Sequence, residues 1–558
     1  MSGLLLLIIT VAIYFLGYCY YGNYLKRLFC INPFTLTPAH SLKDNIDYVP
    51  TKAPIVFGHH FSSIAGAGPI VGPVLGLTFG WIPVALWLII GCVFIGAVHD
   101  FSALILSVRH KGYSIGYLIE TYISYEGRQI FLTFCSIALL LVIAIFTLLV
   151  AKTFTATPPV ATASLIFIAL AAAFGVTIRR GVALLPATMI FLPLMTLAIY
   201  IGIRFPLDLT AIFGLSPQLS NHVWMAVLMI YIYLASVLPV WLLLQPRDYL
   251  NSYLLYALIG IGLLSVIVVN PEINAPAFNG LRAMEPTGSN EWSLFPILFV
   301  TIACGACSGF HALVASGTTS KQLNNEKDAL CVGYGAMLVE GVVGILALIA
   351  VGALSQEDFF LLIKNQGSLN AFSTGLASLS QSIGLPFSLG QTLISLIVSA
   401  FILTTLDTAA RLTRFTLAEL ALPKRGQTNP AFFNIFINRY SCTLIVIILS
   451  GYLAFSGEAE KIWPVFGASN QLLAALALLV VSVILIRQKK NFLITFIPFV
   501  FMMFISAWAL IELFSANLQT KQWNLTAASL LLIIMSVLLI IQTFKIFAHG
   551  NPELAETI

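Results

Sequence analysis

The sequence is short of charge. Of 558 residues only 9% are Asp, Glu, Lys or Arg, against about 25% in an ordinary soluble domain. So thin a supply cannot cover a water-facing surface, which excludes soluble enzymes, nucleic-acid binders and disordered chains. Cysteine is scarce as well, with eight residues at 19, 30, 92, 135, 304, 307, 331 and 442. That excludes a disulfide-built scaffold, and thiols inside apolar runs or at a cytoplasmic edge are expected to stay reduced. Cys304 and Cys307 form a C-x-x-C without a second thiol pair, so packing is expected there rather than zinc or redox chemistry. The first apolar run lacks the basic start and small-residue cleavage site of a signal peptide. No nucleophile motif, H-E-x-x-H or Gly-rich phosphate loop is present. The chain is therefore expected not to be an enzyme, and to use no cofactor and no metal site.

What the chain has is apolar sequence. Hydrophobic residues make up 59% and the mean hydropathy is +0.97. A bilayer-crossing helix needs about 20 mostly apolar residues, and about fifteen runs qualify: 4–20, 56–78, 83–107, 130–151, 160–177, 183–203, 222–244, 253–270, 294–316, 330–354, 387–408, 441–455, 466–486, 493–514 and 525–547. An alternating barrel pattern is absent, so the fold class expected is an all-α polytopic membrane protein whose helices satisfy their own backbone in lipid. Placing loop 21–54 in the cytoplasm and alternating from there puts 21 of the 27 Lys and Arg inside and 6 outside. That is the bias of a correct alternation, and it predicts an outside N-terminus and a cytoplasmic C-terminus. Segment 355–386 is expected to be re-entrant or interfacial.

Some runs are not plain lipid anchors. Phe57 to Pro73 holds two His, two Ser, four Gly and two Pro. Proline removes a backbone donor and glycine loosens the chain, so a break is expected near Gly66–Pro69. Broken backbone at membrane depth survives only against protein or a wet cavity. Cys304 to Gln322 is again rich in small and hydroxyl residues, and both stretches contain G-x-H-x5-G, as Gly58, His60, Gly66 and Gly309, His311, Gly317. Two interrupted spans in corresponding halves are the sequence pointer to a binding site made of discontinuous helices. Their half-helix N-termini attract anionic groups. The candidate binding residues are Gly66, Ala67, Gly68, Ser308, Gly309, His311, Asn470 and Gln471. Asn470 and Gln471 enter because their amides offer donors and acceptors on an otherwise apolar helix.

Ionisable residues inside spans are the remaining signal. A central Asp or Lys costs about 2.5–3.5 kcal/mol on translocon scales, so such residues are seldom idle. His59, His60, Asp100, Glu340 and Asp407 are the candidates for proton or ion coupling. Asp407 has a structural alternative, a pairing with Arg411 four residues on. Gln245-Pro246-Arg247-Asp248-Tyr249-Leu250-Asn251 closes a span as a polar junction.

Six segments together resemble the carbon starvation protein A (CstA) family of bacterial membrane proteins. They are Asp47-Tyr48-Val49-Pro50-Thr51, Phe57 through Pro73, Gln245 through Asn251, Ser308 through Gln322, Thr404 through Arg411, and Trp463 through Gln471. The resemblance implies uptake of peptides or pyruvate across the inner (plasma) membrane during carbon starvation. It also implies cation-coupled secondary transport, with H+ or Na+ as coupling ion, and a relationship to broken-helix, inverted-repeat (LeuT/APC-like) transporters. On that reading 1–558 is one integral membrane unit. Residues 1–20 form an extra N-terminal helix, 56–486 the transport core and 487–558 the C-terminal helices. The expected partners are the small-molecule substrate and the lipid bilayer, with no nucleic acid. A channel, or a nutrient sensor without flux, remains the alternative.

Overall fold

Apolar runs with polar ends fold here as long helices, each started by a local device. Ser2, Ser114, Ser124 and Ser216 accept hydrogen bonds from backbone N–H groups of the first turns that follow them, the usual Ser cap. Pro158 and Pro217 sit at the first helical position, where a missing N–H does no harm. A computed structural model of the chain describes residues 1–44, 48–239, 241–286, 291–421, 434–456 and 459–549; the side chains of 245, 434, 459, 460 and 542–549 are outside the description. Asp47 of the first family segment, the Gln245 side chain, Lys424, Arg425 and the Lys545 side chain therefore lie outside the described residues.

Among the described residues, thirteen helices are long and apolar enough to cross a membrane, or fourteen with one bent pair counted as a span. The bent pair is Ala53–Ile64 with Gly68–Phe79, turning by 45°, so the first expected break is present. The expected run 294–316 does not form one helix. It is divided into Leu294–Leu298, Phe299–Thr301, Ala303–Ala306 and Gly309–Gly317. Run 387–408 extends further than expected, as Phe387–Leu420. Segment 355–386 folds as two helices, Gln356–Gln366 and Ser368–Ser380, joined at Gly367 with φ +84°; the second is almost wholly buried. Among the described residues the all-α expectation has one exception, a short antiparallel strand pair of Arg282–Met284 and Glu291–Ser293.

Burial separates inner from outer helices. Tyr125–Ala156, Glu326–Gly352, Phe387–Leu420 and Lys461–Arg487 are mostly enclosed by protein, whereas Gly3–Leu28, Leu184–Arg204 and Pro246–Val269 bury only about a third of the residues in their most apolar stretch. The loops collect on two faces. On one, Val49 N donates to Lys321 O, Tyr48 Oη to Lys111 O, Arg109 Nε to Glu326 Oε1 and Ser114 Oγ to Glu419. On the other, Gly3 N donates to Pro271 O, Asn274 Nδ2 to Ala353 O, and Asn279 N to Phe79 O. The first face thus gathers several of the Lys- and Arg-bearing loops.

Candidate functional site

The two broken helices meet at their breaks. The first is interrupted at Ala65–Ala67. The second is interrupted at Cys307 and Ser308, whose backbones are extended. A Cβ on Gly68 would lie 2.0 Å from the Cβ of Cys304, and one on Gly66 2.8 Å from Thr405 Oγ1. Glycine at 68 is therefore a close-approach residue, since any side chain would displace the second broken helix. Cys304 and Cys307 are buried free thiols in this packing.

The broken backbone is served by side chains, as a buried break requires. Cys92 Sγ donates to Gly305 O at 3.0 Å, Trp463 Nε1 to Thr301 O at 2.9 Å and Gln471 Nε2 to Phe299 O at 3.4 Å. Phe310 N, at the start of Gly309–Gly317, donates to Asn470 Oδ1 at 2.9 Å, while Asn470 Nδ2 reaches Ser308 Oγ and Cys304 Sγ. Asn470 is thus a cap supplied from another helix. Gly309 packs against Asn470 O and Ala474 N. The eight candidate binding residues are all buried and in this structure pack chiefly on one another and on neighbouring helices.

Five candidate coupling residues were expected, and the structure divides them between two buried networks. In the first, His311 Nδ1 bonds Asp100 Oδ2 at 2.8 Å, and His311 Nε2 lies 3.4 Å from Glu340 Oε2, in ion-pair reach without a formed hydrogen bond. The other Asp100 oxygen bonds His99 Nδ1 at 2.7 Å. His60 lies within electrostatic range of Asp100 and His311, and its Nδ1 is 2.9 Å from Thr319 Oγ1. Each of Asp100, His311 and Glu340 is fully buried.

Local backbone aims these groups. Asp100 follows a π-helical turn, Cys92–Gly96, and Glu340 follows another, Leu330–Gly335. Such turns recur at functional sites. The glycines within them allow contact: a Cβ on Gly96 would meet Ala306 O at 2.3 Å, and one on Gly333 the Phe101 Cα at 2.9 Å. Tyr334 Oη donates to Val93 O at 3.0 Å, joining the two turns directly.

The second network holds Asp407 and His59. Asp407 Oδ2 accepts from Arg247 Nη1 at 2.5 Å and from Tyr231 Oη at 2.8 Å, and Arg247 also donates to Tyr231. His59 Nδ1 is 3.3 Å from Asp248 Oδ2. The expected alternative for Asp407, a pairing with Arg411, is corrected here. Arg411 turns away and gives its Nη2 to the carbonyls of Ala235 and Leu238, because Pro217–Val237 ends against it with unpaired carbonyls. Arg247, Asp248 and Tyr231 were not among the candidates. Arg247 and Asp248 were visible as a polar junction, but nothing in the spacing ties them to Asp407, 160 residues away. Tyr231 carries no sequence signal.

These features define a class, a multi-pass helical membrane protein with two broken helices enclosing buried ionisable groups. Comparison then gives the family. The model of the carbon starvation protein CstA family matches residues 2–364 and 361–509, and the chain belongs to that family. It is 32% identical to the pyruvate/proton symporter BtsT of Escherichia coli, across 93% of this chain and 83% of that one. It is 33% identical to the peptide transporter CstA of Campylobacter jejuni (90% and 79%) and 34% identical to that of Bacillus subtilis (89% and 88%). Among solved structures, a mutant manganese transporter of Eremococcus coleocola aligns over 90% of this chain and 99% of its own, at a TM-score of 0.47 and 10% identity.

Proposed function

We propose that this protein is a secondary transporter of the inner membrane that takes up a small carboxylate nutrient, a peptide or pyruvate, together with a proton. The carrying observation is the chain Asp100–His311–Glu340. An imidazole held between two carboxyl groups passes a proton from one to the other through its two nitrogens. The three residues stand on three separate helices, one of them the second half of a broken helix, so moving that half-helix makes or breaks the chain. The Escherichia coli relative is named a proton symporter, which favours H+ over Na+ as coupling ion. The seam of Gly66, Ala67, Gly68, Ser308, Gly309, Asn470 and Gln471 is then the deeper substrate station, reached when the half-helices part.

We place the N-terminus outside and the C-terminus in the cytoplasm, from the 21 to 6 distribution of Lys and Arg. We count the divided run 294–316 as a further span, which makes about fifteen. We read the paired breaks as the centre of an inverted-repeat core. The test is uptake of labelled pyruvate and dialanine into vesicles, with proton and sodium gradients imposed separately. Accumulation with the proton gradient alone is expected. Mere equilibration points to a channel, and binding without flux to a sensor; either result overturns the proposal.

A further inference from the structure

Asp100 and Glu340 stand on two long helices, Trp81–Arg109 and Glu326–Gly352. His311, which faces both acids, stands on neither; it belongs to the short half-helix Gly309–Gly317. The two long helices are tied to each other at three levels. Two ties are made by their π-helical turns, where Tyr334 Oη donates to Val93 O and Gly333 sits against the backbone of Phe101. The third lies at the Lys- and Arg-bearing face, where one helix ends at Arg109 and the other begins at Glu326. Arg109 Nε donates to Glu326 Oε1 at 2.8 Å, and its Nη2 donates to Oε2 at 3.2 Å. A two-pronged pair of this kind fixes distance and angle together.

The surroundings stiffen that pair. Glu326 is only 1% exposed. Its Oε2 also accepts from Asn32 N at 2.7 Å, and Arg109 Nη2 also donates to Cys30 O at 3.1 Å. Asn325 Oδ1 accepts from Lys327 N and so caps the turn Glu326–Asp328 that opens the Glu340 helix.

The buried chain depends on how the two helices are aligned. His311 Nδ1 bonds Asp100 at 2.8 Å, but Nε2 is 3.4 Å from Glu340 Oε2 with no hydrogen bond formed. Good N–H···O bonds lie at about 2.7–3.2 Å, so a relative slide of about half an ångström makes or loses the second bond. The titratable groups facing Asp100, His311 and Glu340 are one another, His99, His60 and the thiols of Cys92, Cys304 and Cys307. Arg109 is nine residues from Asp100, about 13 Å of helix. It therefore reaches the chain through the helix and not by contact.

We infer that Arg109 and Glu326 are positioning residues: their pair sets the register of the two acid-bearing helices, and with it the gap that His311 spans. This role rests on the proton-coupled reading above and adds to it a pair outside the buried chain.

The test uses the full-length protein, in vesicles for uptake of labelled pyruvate and dialanine and in detergent for thermal unfolding. Misplacement by about 1 Å can cost a reacting geometry about a hundredfold, so Glu326→Gln should lower proton-driven accumulation about tenfold or more. Exchange of labelled for unlabelled solute should persist. Arg109→Lys keeps the charge and loses the fork, so it should fall between Glu326→Gln and wild type; it carries the test if Glu326→Gln fails to fold. The second measurement is a double-variant cycle of Glu326→Gln, or of Arg109→Lys, with Glu340→Gln. Sites about 20 Å apart normally add in their effects on stability. Once Glu340→Gln has removed the aligned contact, lost register costs less, so the double variant should lose less melting temperature than the two singles summed. Additive melting losses overturn the positioning role, whether uptake is unchanged or accumulation and exchange fall in equal proportion. A wild type that never accumulates solute on a proton gradient overturns the transport reading instead, and the melting cycle alone then decides the pair.

Discussion

The two buried networks are built from different materials. The Asp100–His311–Glu340 chain contains two carboxyl groups and histidines but no Arg or Lys, and it is sealed from solvent. The network of Arg247, Asp407, Tyr231, Asp248 and His59 contains a permanent cation in direct contact with Asp407, and His59 at its edge is partly exposed. Arginine stays charged at any physiological pH, so the Asp407 contact is a fixed ion pair. The first network has no fixed cation, and its charge changes only by gaining or losing protons. One network suits coupling, the other suits holding helices together.

Substitutions sharpen that contrast, and the largest effect is expected in the network proposed to carry the proton. Glu340→Gln or Asp100→Asn keeps the shape and removes a group that can take up and release a proton. Proton-driven accumulation should fall to simple equilibration, while exchange of labelled for unlabelled solute persists. If both variants and His60→Gln leave pH-dependent accumulation unchanged, the coupling assignment is wrong. The fixed pair should respond in stability instead. Removing one partner, by Asp407→Ala or Arg247→Ala, strands a buried charge and should cost about 3–5 kcal/mol, read as loss of folded protein on thermal unfolding in detergent. The double replacement Arg247→Met with Asp407→Leu should recover much of that loss. Equal damage from single and double changes would break the comparison.

Smaller effects are expected at the seam. Gly68→Ala forces a Cβ to within 2.0 Å of Cys304 Cβ, and overpacking of this kind costs about 1–3 kcal/mol. Cys304→Gly in the same chain should relieve it. A melting temperature no higher in the double variant than in Gly68→Ala would refute close packing as the reason for glycine there. Asn470→Ala removes the cap of the second half-helix, worth about 1 kcal/mol at typical helix starts. It should lower the melting temperature by a few degrees and leave the coupling ion unchanged.

Much of this was legible in the sequence. Long apolar runs foretell helices because lipid leaves the backbone no other partner, and Gly66–Pro69 foretells a break because that stretch cannot hold a regular helix. Asp100 and Glu340 stood out because ionisable groups are rare in such runs, whereas His311 stood out only as a substrate-binding candidate, and its place between the two acids was not foreseen. What was hidden is pairing over distance. Asp407 and Arg411 stand four apart, the spacing of an intrahelical pair, yet three-dimensional packing brings Arg247 to Asp407 and backbone carbonyls to Arg411. The second half-helix end was legible near Ser308–Gly309, where the helix Gly309–Gly317 starts; what was hidden is that Cys92, Trp463 and Asn470 from elsewhere serve the broken backbone there.

The π-helical turn at Cys92–Gly96 has a geometric meaning for the helix that carries Asp100. It holds one residue more than the α turn it replaces, and one residue is about 100° of rotation in a 3.6-fold helix. Trp81–Gly91 and Ala97–Arg109 therefore run along one axis in two different angular phases. In the first phase Trp87 meets the Phe299 ring; in the second, Asp100 meets His311. A single helix thereby serves two facing surfaces, and the apolar stripe read from one half does not foretell the direction of the acid in the other.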